Sequence, residues 1–425
     1  MCAIESRRAL NNIISQSDNK DKIFTIAYIV AGYPPEISGV SLGNEERLTW
    51  FNQNTKNKLF IIAPDWGDAN EGVHTTLEER IFRFPSKPWL PYRNTRTARF
   101  TAKKIIEKMV SDINPDIIVV TDAERLFLFS LWSLPCLKYA KKRNIPYIAH
   151  FHTDYYGFAK RYLVWNMLKN ILIKPTIKYI YKQMDQTICA TLTAKSSLER
   201  YGVKKAYYVP FVGVDNTNFG NTSITMNHLS SYLCHDSARR KTIIYLGRLA
   251  HEKRVDILIK AYLKLISSNS TENDGIDLII AGEGPSEKRL RKICSGVETI
   301  VFTGKVFGED KFRLLSSCDI LCYPSPFETF GRSVIEAMIS KTLVVVPSSS
   351  AMAEYIEDER NGFLFKQNDV GACAEALNKA LACESEKKEK IINDAYSTGK
   401  YFSIEKGCKR LNEAYTEIIE HGHCI

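Results

Sequence analysis

Most of the chain alternates between short runs of apolar residues and longer segments in which apolar positions recur at helical spacing. A short apolar run bounded by glycine, proline or acidic residues is typical of a strand buried on both faces of a sheet. The pattern predicts five such strands in the first half, at residues 23–32, 58–65, 116–122, 145–153 and 185–192. Between them it predicts a loop at 33–43 and helices at 44–54 and 127–143.

The pattern is lost at residues 216–240, which are polar, rich in Asn and Ser, and without a clear period; we interpret them as a linker. A second series follows, with a strand and its following loop predicted at 241–249, a strand and turn at 276–285, and strands at 298–306, 319–325 and 342–348. Helices are predicted at 255–265 and 333–340. Strands that alternate with helices build parallel, doubly wound sheets. The sequence therefore predicts an α/β protein with two Rossmann-like domains, at 23–215 and 241–400, and a cleft between them.

Composition excludes several other classes of protein. The 425-residue chain is 44% hydrophobic and 25% charged, as in ordinary soluble globular proteins and unlike collagen-like or disordered chains. Its apolar runs are far shorter than the ~20 residues that span a bilayer. Residues 1–22 form a polar tail that lacks the apolar core of a signal peptide. The expected location is the cytoplasm.

Positive charge is concentrated in the first half of the chain. Residues 1–210 carry 31 Lys and Arg against 19 Asp and Glu, whereas the remainder carries 27 against 29. The richest stretch, residues 160–184, has six basic residues, no acid and many apolar and aromatic ones. Either it is a pair of core-facing helices, broken at Pro175, with solvated lysines, or it is a patch that docks on an anionic membrane face. No nucleic-acid-binding motif accompanies the charge, so a nucleic-acid partner is not predicted.

Cysteine and histidine give no sign of a metal site. The 11 cysteines include no C-x-x-C pair, and the 8 histidines are scattered. A zinc site requires these ligands to be clustered. We therefore predict neither a metal nor another cofactor.

Three short segments of the second domain are suggestive only in combination. Gly247 and Arg248 end one predicted strand, with Lys253 five residues later; two cations there suit a pyrophosphate. A second strand ends in Gly282-Glu283-Gly284-Pro285, which allows a tight turn. A third ends in the segment 302–306, where Val306 closes a run that can offer backbone groups to a planar base. Each segment alone is equally compatible with an ordinary surface turn.

The segment FETFGRSVIEAM, residues 327–338, is more informative. It places Glu328 in a loop after a strand and Glu336 in the helix that follows. The N-terminus of that helix suits a phosphate, and the two carboxylates can accept hydrogen bonds from a sugar and from a ribose diol. Two solvated surface acids are the alternative, but the apolar, glycine-containing surroundings disfavour it.

These segments, in this order and spacing, resemble the donor-binding domain of the family 4 retaining glycosyltransferases. The similarity covers YLGRLAHEKRVDILIKAY, LIIAGEGP, VFTGKV, PSPFETFGRSVIEAM and NGFLF, and the family has the GT-B fold of two facing Rossmann-like domains. It implies that Arg248 and Lys253 hold a donor diphosphate, that Glu336 holds the ribose, and that Val306 lies beside the base. It further implies that the donor sugar and its phosphate are bound by Glu328, Thr329, Phe330 and Gly331. Arg332 stands where the family usually has an apolar residue or Asn.

The first half is similar to the family more loosely. GYPPEISGVSLG resembles the loop after the first strand, with Gly39 in place of one of two adjoining glycines. HFHTDYYGF resembles a segment that would place His152 near the transferred sugar, although a structural histidine at a strand end is an alternative. Residues 401–425 resemble a terminal helix that crosses back to the first domain.

The resemblance implies a retaining, metal-independent transferase that moves a hexose-type sugar from a nucleotide-diphosphate sugar to a hydroxyl of a lipid, a lipid-linked carrier or a glycan. Glu328, His152, Arg248 and Lys253 are the candidate catalytic residues, and Gly39, Gly247 and Gly282 complete the candidate donor site. A sugar-nucleotide epimerase of related fold and a non-catalytic sugar- or lipid-binding protein remain as alternatives.

Overall fold

The computed structural model describes residues 22–36, 38–67, 77–89, 95–127, 131–154, 156, 169–215, 232–233, 240–268 and 275–422. Most of the N-terminal tail and of the linker lie outside these residues. Two parallel sheets, each covered by helices, form two α/β domains. The fold class predicted from the sequence is therefore confirmed.

The first sheet has seven parallel strands in the order β3-β2-β1-β6-β7-β8-β9, and a two-stranded antiparallel pair, β4-β5, lies beside it. The strands are β1 Thr25–Val30, β2 Lys58–Pro64, β3 Ile81–Phe84, β4 Ser86–Pro88, β5 Arg96–Ala98, β6 Ile117–Thr121, β7 Tyr147–Phe151, β8 Gln186–Cys189 and β9 Ala206–Tyr208. The helices among them are α1 Gly39–Asn54, α2 Ala102–Ile113, α3 Ala123–Leu126, α4 Leu137–Arg143, α5 Lys174–Lys182 and α6 Leu192–Arg200.

The second sheet has six parallel strands in the order β12-β11-β10-β13-β14-β15. They are β10 Lys241–Leu246, β11 Ile276–Ala281, β12 Ile300–Gly304, β13 Ile320–Cys322, β14 Leu343–Pro347 and β15 Phe363–Phe365. The helices are α7 Val255–Ser268, α8 Glu287–Ile293, α9 Gly308–Ser317, α10 Arg332–Ile339, α11 Val370–Leu381, α12 Ser385–Tyr401 and α13 Ile404–His421. Strands β6, β10 and β14 are nearly all apolar and buried because helices cover both faces of each sheet.

Two local predictions were wrong. The helix predicted at 127–143 is not continuous: residues 128–130 lie outside the described part of the chain, residues 132–136 are not helical, and helix α4 begins at Leu137. Pro135 disfavours a helical conformation in the residue before it, and Cys136 has a positive φ of 62°. The loop predicted at 33–43 ends early, since helix α1 begins at Gly39. The side chain of Ser38 accepts a hydrogen bond from the backbone N–H of Ser41 and so caps this helix.

The last helix of the chain, α13, packs on the first domain. Gly407 of α13 lies so close to the backbone of the first domain that a Cβ on Gly407 would be 2.6 Å from the carbonyl oxygen of Phe211. The hydroxyl of Tyr415 is 2.5 Å from that of Tyr28 and 2.8 Å from Nε2 of His150. All three side chains are buried, so the end of the chain fastens the first domain to the second.

Within the basic segment 160–184, residues 160–168 lie outside the described part of the chain. Helix α5 follows and has Pro175 in its first turn, where a proline is tolerated. Its inner face buries Ile177, Ile180 and Tyr181. Its outer face exposes lysines beside apolar side chains. No helix among the described residues is both long and apolar enough to cross a membrane.

Candidate functional site

Strand order reverses at one point in each sheet, between β1 and β6 in the first and between β10 and β13 in the second. Ligands of open α/β sheets bind at such points, outside the carboxyl ends of the strands. In the second domain these ends carry the turn at Gly247 and the loop that contains Glu328. In the first domain the carboxyl ends of the strands carry residues 33–36, after β1, and Asp122, after β6. The predicted donor residues thus come from loops beside the switch point of the second sheet.

Gly282 brings two of these turns together. It has a φ of 139°, and a Cβ at this position would collide with the carbonyl oxygen of Gly247. Any other residue would therefore force apart the turns that follow β10 and β11. Gly39 differs, because a Cβ built there would have no neighbour within 4 Å; its surroundings alone do not require glycine.

The two candidate diphosphate ligands lie on the segment after β10. Arg248 is exposed, and its carbonyl oxygen accepts a hydrogen bond of 2.9 Å from the hydroxyl of Tyr245. Lys253 ends a 3₁₀ turn, His251–Lys253, and its ammonium group forms an ion pair with Glu328. Burial alone would lower the pKa of Lys253, but the charge and hydrogen bond of Glu328, together with Tyr245 and Glu252, outweigh it, and the pKa is raised.

The carboxylate of Glu328 is held by two side chains of its own domain. Besides Lys253, the hydroxyl of Tyr323 donates to it over 3.3 Å. Burial would raise the pKa of Glu328, but the charge of Lys253 and the hydrogen bonds from Lys253, Ser325 and Tyr323 together exceed that effect, and the pKa is lowered. The group is therefore ionised at neutral pH and is held in place before any donor arrives.

The loop after Glu328 is held by its own domain. The hydroxyl of Tyr355 donates to the carbonyl oxygen of Phe330 over 2.7 Å. Gly331 precedes helix α10 with a φ of 87°, and a Cβ there would be 2.7 Å from Met352. This conformation turns the chain directly into α10, whose first turn offers backbone N–H groups to an anion.

Glu336 lies on α10 and is almost fully buried. Its carboxylate accepts a hydrogen bond of 2.8 Å from the ammonium group of Lys311 on α9. Sequence reasoning missed Lys311, since no motif precedes it and only the packing of α9 beside α10 brings it to the site. Val306 lies just before α9 and is half-buried.

His152 follows β7 in the first domain. Its ring centroid lies 5.6 Å from that of Phe211 and 5.9 Å from that of His150. Burial, together with the nearby Arg47, lowers the pKa of His152 well below its ordinary value. The imidazole is therefore neutral at pH 7.

Sequence reasoning also missed the buried charges of the first domain. Arg125 donates to both carboxylate oxygens of Glu36, over 3.0 and 2.7 Å, and both side chains are buried. Nearby, Asp122 and Glu124 are buried too, and Oδ1 of Asp122 and Oε1 of Glu124 have no hydrogen-bond partner among the described residues. Burial raises the pKa of Asp122 to about 6 and that of Glu124 to about 8.

The two domains meet beside the loop that contains Glu328. The guanidinium of Arg332 binds both oxygens of Glu46, on α1 of the first domain, over 2.8 and 2.9 Å. Thr191 of the first domain donates to the carbonyl oxygen of Thr329 over 3.1 Å. Among the described residues, no group of three or more His, Cys, Asp or Glu side chains is arranged to hold a metal ion.

Two family models match the chain. The model described as "Glycosyltransferase Family 4" matches residues 54–215, and that described as "Glycosyl transferases group 1" matches residues 236–398. Each model thus covers most of one of the two α/β domains.

Curated relatives extend the similarity over most of the chain. The alpha-monoglucosyldiacylglycerol synthase of Streptococcus pneumoniae is 24% identical over 399 residues, which are 91% of this chain and 84% of the relative. The GDP-mannose-dependent alpha-(1-6)-phosphatidylinositol dimannoside mannosyltransferase of Mycobacterium tuberculosis is 31% identical over 332 residues, or 77% of each chain.

A solved structure shows the same fold. The Anabaena protein Alr3699/HepE, crystallised in complex with UDP and glucose, superposes with a TM-score of 0.70 at 16% sequence identity. The superposition covers 93% of this chain and 100% of that one. At this level of identity the likeness is evidence for the fold alone.

Proposed function

Because this chain belongs to the family 4 glycosyltransferases, we propose that it is a retaining enzyme that moves a hexose-type sugar from a nucleotide-diphosphate sugar to a hydroxyl acceptor. The observation that carries the proposal is the grouping of Arg248, Lys253, Glu328 and Glu336 on loops and a helix beside the switch point of the second sheet. A fold alone does not establish a function, whereas such a grouping of charges in a cleft supports one.

The donor lies along the carboxyl edge of the second sheet. Arg248 and Lys253 bind the diphosphate, and the first turn of α10 faces its outer phosphate. Glu336 accepts hydrogen bonds from the ribose diol, and the backbone at Val306 contacts the base. Glu328 and the backbone at 329–331 hold the sugar.

The ion pairs of the site remove the electrostatic repulsion that its carboxylates would otherwise exert on an anionic donor. Lys253 neutralises Glu328, and Lys311 neutralises Glu336, so neither carboxylate repels the anionic donor. When the diphosphate binds, the charge of Lys253 is shared between Glu328 and the phosphate. Glu328 then acts as an oriented hydrogen-bond acceptor beside the sugar rather than as a nucleophile.

Transfer proceeds on one face of the sugar. The bond from the anomeric carbon to the diphosphate oxygen breaks, and the acceptor oxygen forms its bond to the same face. The leaving diphosphate takes the proton of the acceptor hydroxyl. Arg248, Lys253 and the N-terminal end of α10 stabilise the charge that grows on it, which is why we propose transfer without a metal. His152, neutral by burial, lies near the transferred sugar.

A lipid or a lipid-linked carrier is the proposed acceptor. The names of both relatives contain a glycolipid, a glucosyldiacylglycerol in one and a phosphatidylinositol mannoside in the other. In this chain, Ile171, Leu172 and Tyr179 are exposed at 71%, 51% and 57% beside the lysines of α5. Basic side chains next to exposed apolar ones suit a peripheral contact with an anionic membrane face.

Product analysis tests the activity. A thermal-shift screen of sugar nucleotides identifies the donor, since a ligand of the native state raises the melting temperature. Purified protein, that donor and candidate acceptors are then combined, and the anomeric configuration of the product is read by NMR. A glycoside with retained configuration supports the proposal. A free epimerised donor identifies an epimerase, and binding without a product identifies a non-catalytic protein.

Vesicle sedimentation tests the membrane contact. Binding is expected to need anionic lipid, to weaken with salt, and to fall when Lys169, Lys174, Lys178 and Lys182 become Glu. The matched control changes four exposed lysines of the second domain to Glu, at Lys260, Lys288, Lys292 and Lys366. If the wild type does not bind at low salt, or if the control variant loses binding equally, this face is not the membrane contact.

A further inference from the structure

Two side chains of the first domain contact the segment Glu328–Arg332, which we call the donor loop. At one end, Thr191 donates to the carbonyl oxygen of Thr329 over 3.1 Å. At the other end, Glu46 binds Arg332 through both carboxylate oxygens, over 2.8 and 2.9 Å. The donor loop is therefore fixed partly by its own domain, through Tyr355, and partly by the opposite one.

The contact at Thr191 is part of a helix cap. The hydroxyl of Thr191 accepts from the backbone N–H of Ala194 and so caps α6, while it donates to the carbonyl oxygen of Thr329 in the other domain. Glu354 of the second domain completes the cap, because its two oxygens accept from the backbone N–H groups of Leu192, over 2.8 Å, and Thr193, over 2.5 Å. The positive end of the α6 dipole thus faces a carboxylate of the other domain.

The contact at Arg332 places a cation where a helix disfavours one. Arg332 is the first residue of α10, and the positive end of the dipole of α10 repels it. Glu46 offsets that repulsion, and a bidentate pair fixes the direction of the guanidinium as well as its charge. Nη2 of Arg332 also lies 3.9 Å from Oε1 of Glu336, so the same side chain reaches the candidate ribose carboxylate.

We propose that Glu46 and Arg332 are a positioning pair that orients the donor loop only while the two domains are closed on each other. When the domains separate, Arg332 loses Glu46 and Thr329 loses Thr191. The loop then relaxes, and the diphosphate and ribose sites lose their alignment. This inference rests on the proposed function, and it makes an aligned donor site depend on the first domain.

A double-mutant cycle tests the pair in the full-length enzyme, with UDP-glucose and GDP-mannose as donors. We expect Glu46→Gln and Arg332→Gln each to lower kcat/KM for the donor by about 10-fold, and the double variant to lose no more than the worse single one. Charge exchange, Glu46→Arg with Arg332→Glu, is expected to restore part of the loss. The exposed pair Glu405 and Lys409 on α13 provides the control, since neutralising both is expected to leave kcat/KM unchanged.

A direct phosphate contact by Arg332 would give a different pattern. Arg332→Gln would then weaken binding of free UDP or GDP, Glu46→Gln would have little effect, and the exchanged variant would be the least active. That result overturns the proposal. A double variant whose loss of kcat/KM equals the combined losses of the two single variants overturns it as well.

Small-angle scattering gives a readout that is independent of activity. Glu46→Gln is expected to have a larger radius of gyration than the wild type at the same melting temperature, and high salt is expected to expand the wild type more than the doubly neutral variant. If no donor gives any product with the wild type, the proposed function fails, while the scattering result still decides whether the pair holds the domains closed. Equal radii at all salt concentrations would overturn the proposal.

Discussion

A buried carboxyl group of the first domain, that of Glu124, is in the opposite electrostatic state to that of Glu328 at the switch point of the second. In the second domain, Glu328 binds Lys253 and Glu336 binds Lys311. In the first domain, Oδ1 of Asp122 and Oε1 of Glu124 have no hydrogen-bond partner among the described residues, and burial raises the pKa of Glu124 to about 8. The second domain thus has at Glu328 a carboxylate that is ionised and paired with a cation, and the first has at Glu124 a carboxyl group that is mostly protonated at pH 7.

The net charges of the two halves of the chain would suggest the opposite arrangement. The first 210 residues carry a net charge of +12, from 31 basic and 19 acidic residues, while the rest carries −2, from 27 and 29. Yet it is the acidic domain that supplies the cations of the candidate donor site. Net charge therefore says little about a site, where burial and individual partners decide which groups are ionised.

The largest effect is expected when the donor site loses its cations. Replacing both Arg248 and Lys253 with Ala removes two charged contacts to the diphosphate, at about 2 kcal/mol each, which corresponds to roughly 1,000-fold weaker binding. Titration calorimetry with UDP and GDP measures the loss, and uridine and guanosine are the control ligands. Equal weakening of nucleosides and nucleotides would show that these residues are not a diphosphate clamp.

The next largest effect is expected in the first domain, at Glu124. Its folded pKa of about 8 lies above its ordinary value of 4.5, so the folded state binds more protons than the unfolded state. The stability that this proton provides is fully present below about pH 4.5 and is lost as the pH rises toward 8. At pH 7 the free energy of unfolding has therefore fallen by about 3 kcal/mol from its value below pH 4.5.

Glu124→Gln keeps the shape of the protonated acid but cannot ionise. Its free energy of unfolding is expected to fall less than that of the wild type between pH 5 and pH 8, as measured by urea denaturation at a series of pH values. The exposed Glu375→Gln provides the control and is expected to keep the wild-type dependence. Parallel curves for Glu124→Gln and the wild type would mean that Glu124 is ionised when folded.

The two domains also differ in how much of them the sequence predicts. In the second, six of the candidate residues, Glu328 to Arg332 and Glu336, lie in one segment, 327–338, in which strand end, glycine turn and helix are adjacent in the chain. The spacing of residues within this one segment is therefore enough to predict which of them lie together at the carboxyl edge of the sheet. Lys311 was missed because its contact with Glu336 joins two helices that only folding brings together.

The ion pairs that the acidic side chains of the first domain form join distant segments of the chain. The pair of Arg125 with Glu36 spans 89 residues, and that of Arg332 with Glu46 spans 286. A buried carboxyl group and a solvated one look alike in a sequence, so composition could not separate Glu124 from surface acids. The strand pattern was still sufficient to predict two parallel-sheet domains, because fully buried strands are apolar throughout.

A smaller effect is expected from neutralising the two paired carboxylates, and it separates their roles. Glu328→Gln is expected to lower turnover by about 100-fold, since its contact lies beside the reacting sugar. Glu336→Gln is expected mainly to weaken donor binding, by about 10-fold, because ribose contacts exist in both ground and transition states. Initial rates over a range of donor concentrations give kcat and KM, and melting curves exclude misfolding. Wild-type constants in both variants would remove these carboxylates from the donor site.

Chelation of metal ions is expected to leave the rate of sugar transfer unchanged, which is the smallest effect among these predictions. Arg248, Lys253 and the N-terminal end of α10 supply positive charge where the leaving diphosphate develops negative charge. A divalent cation at the same place would have to compete with the ammonium group of Lys253, which the ion pair with Glu328 already holds in position. Initial rates are therefore expected to be equal with and without excess EDTA, in protein that has first been dialysed against the chelator. If the rate falls to zero with EDTA and returns with Mg²⁺ or Mn²⁺, a metal and not the fixed cations of the second domain carries the charge of the leaving group.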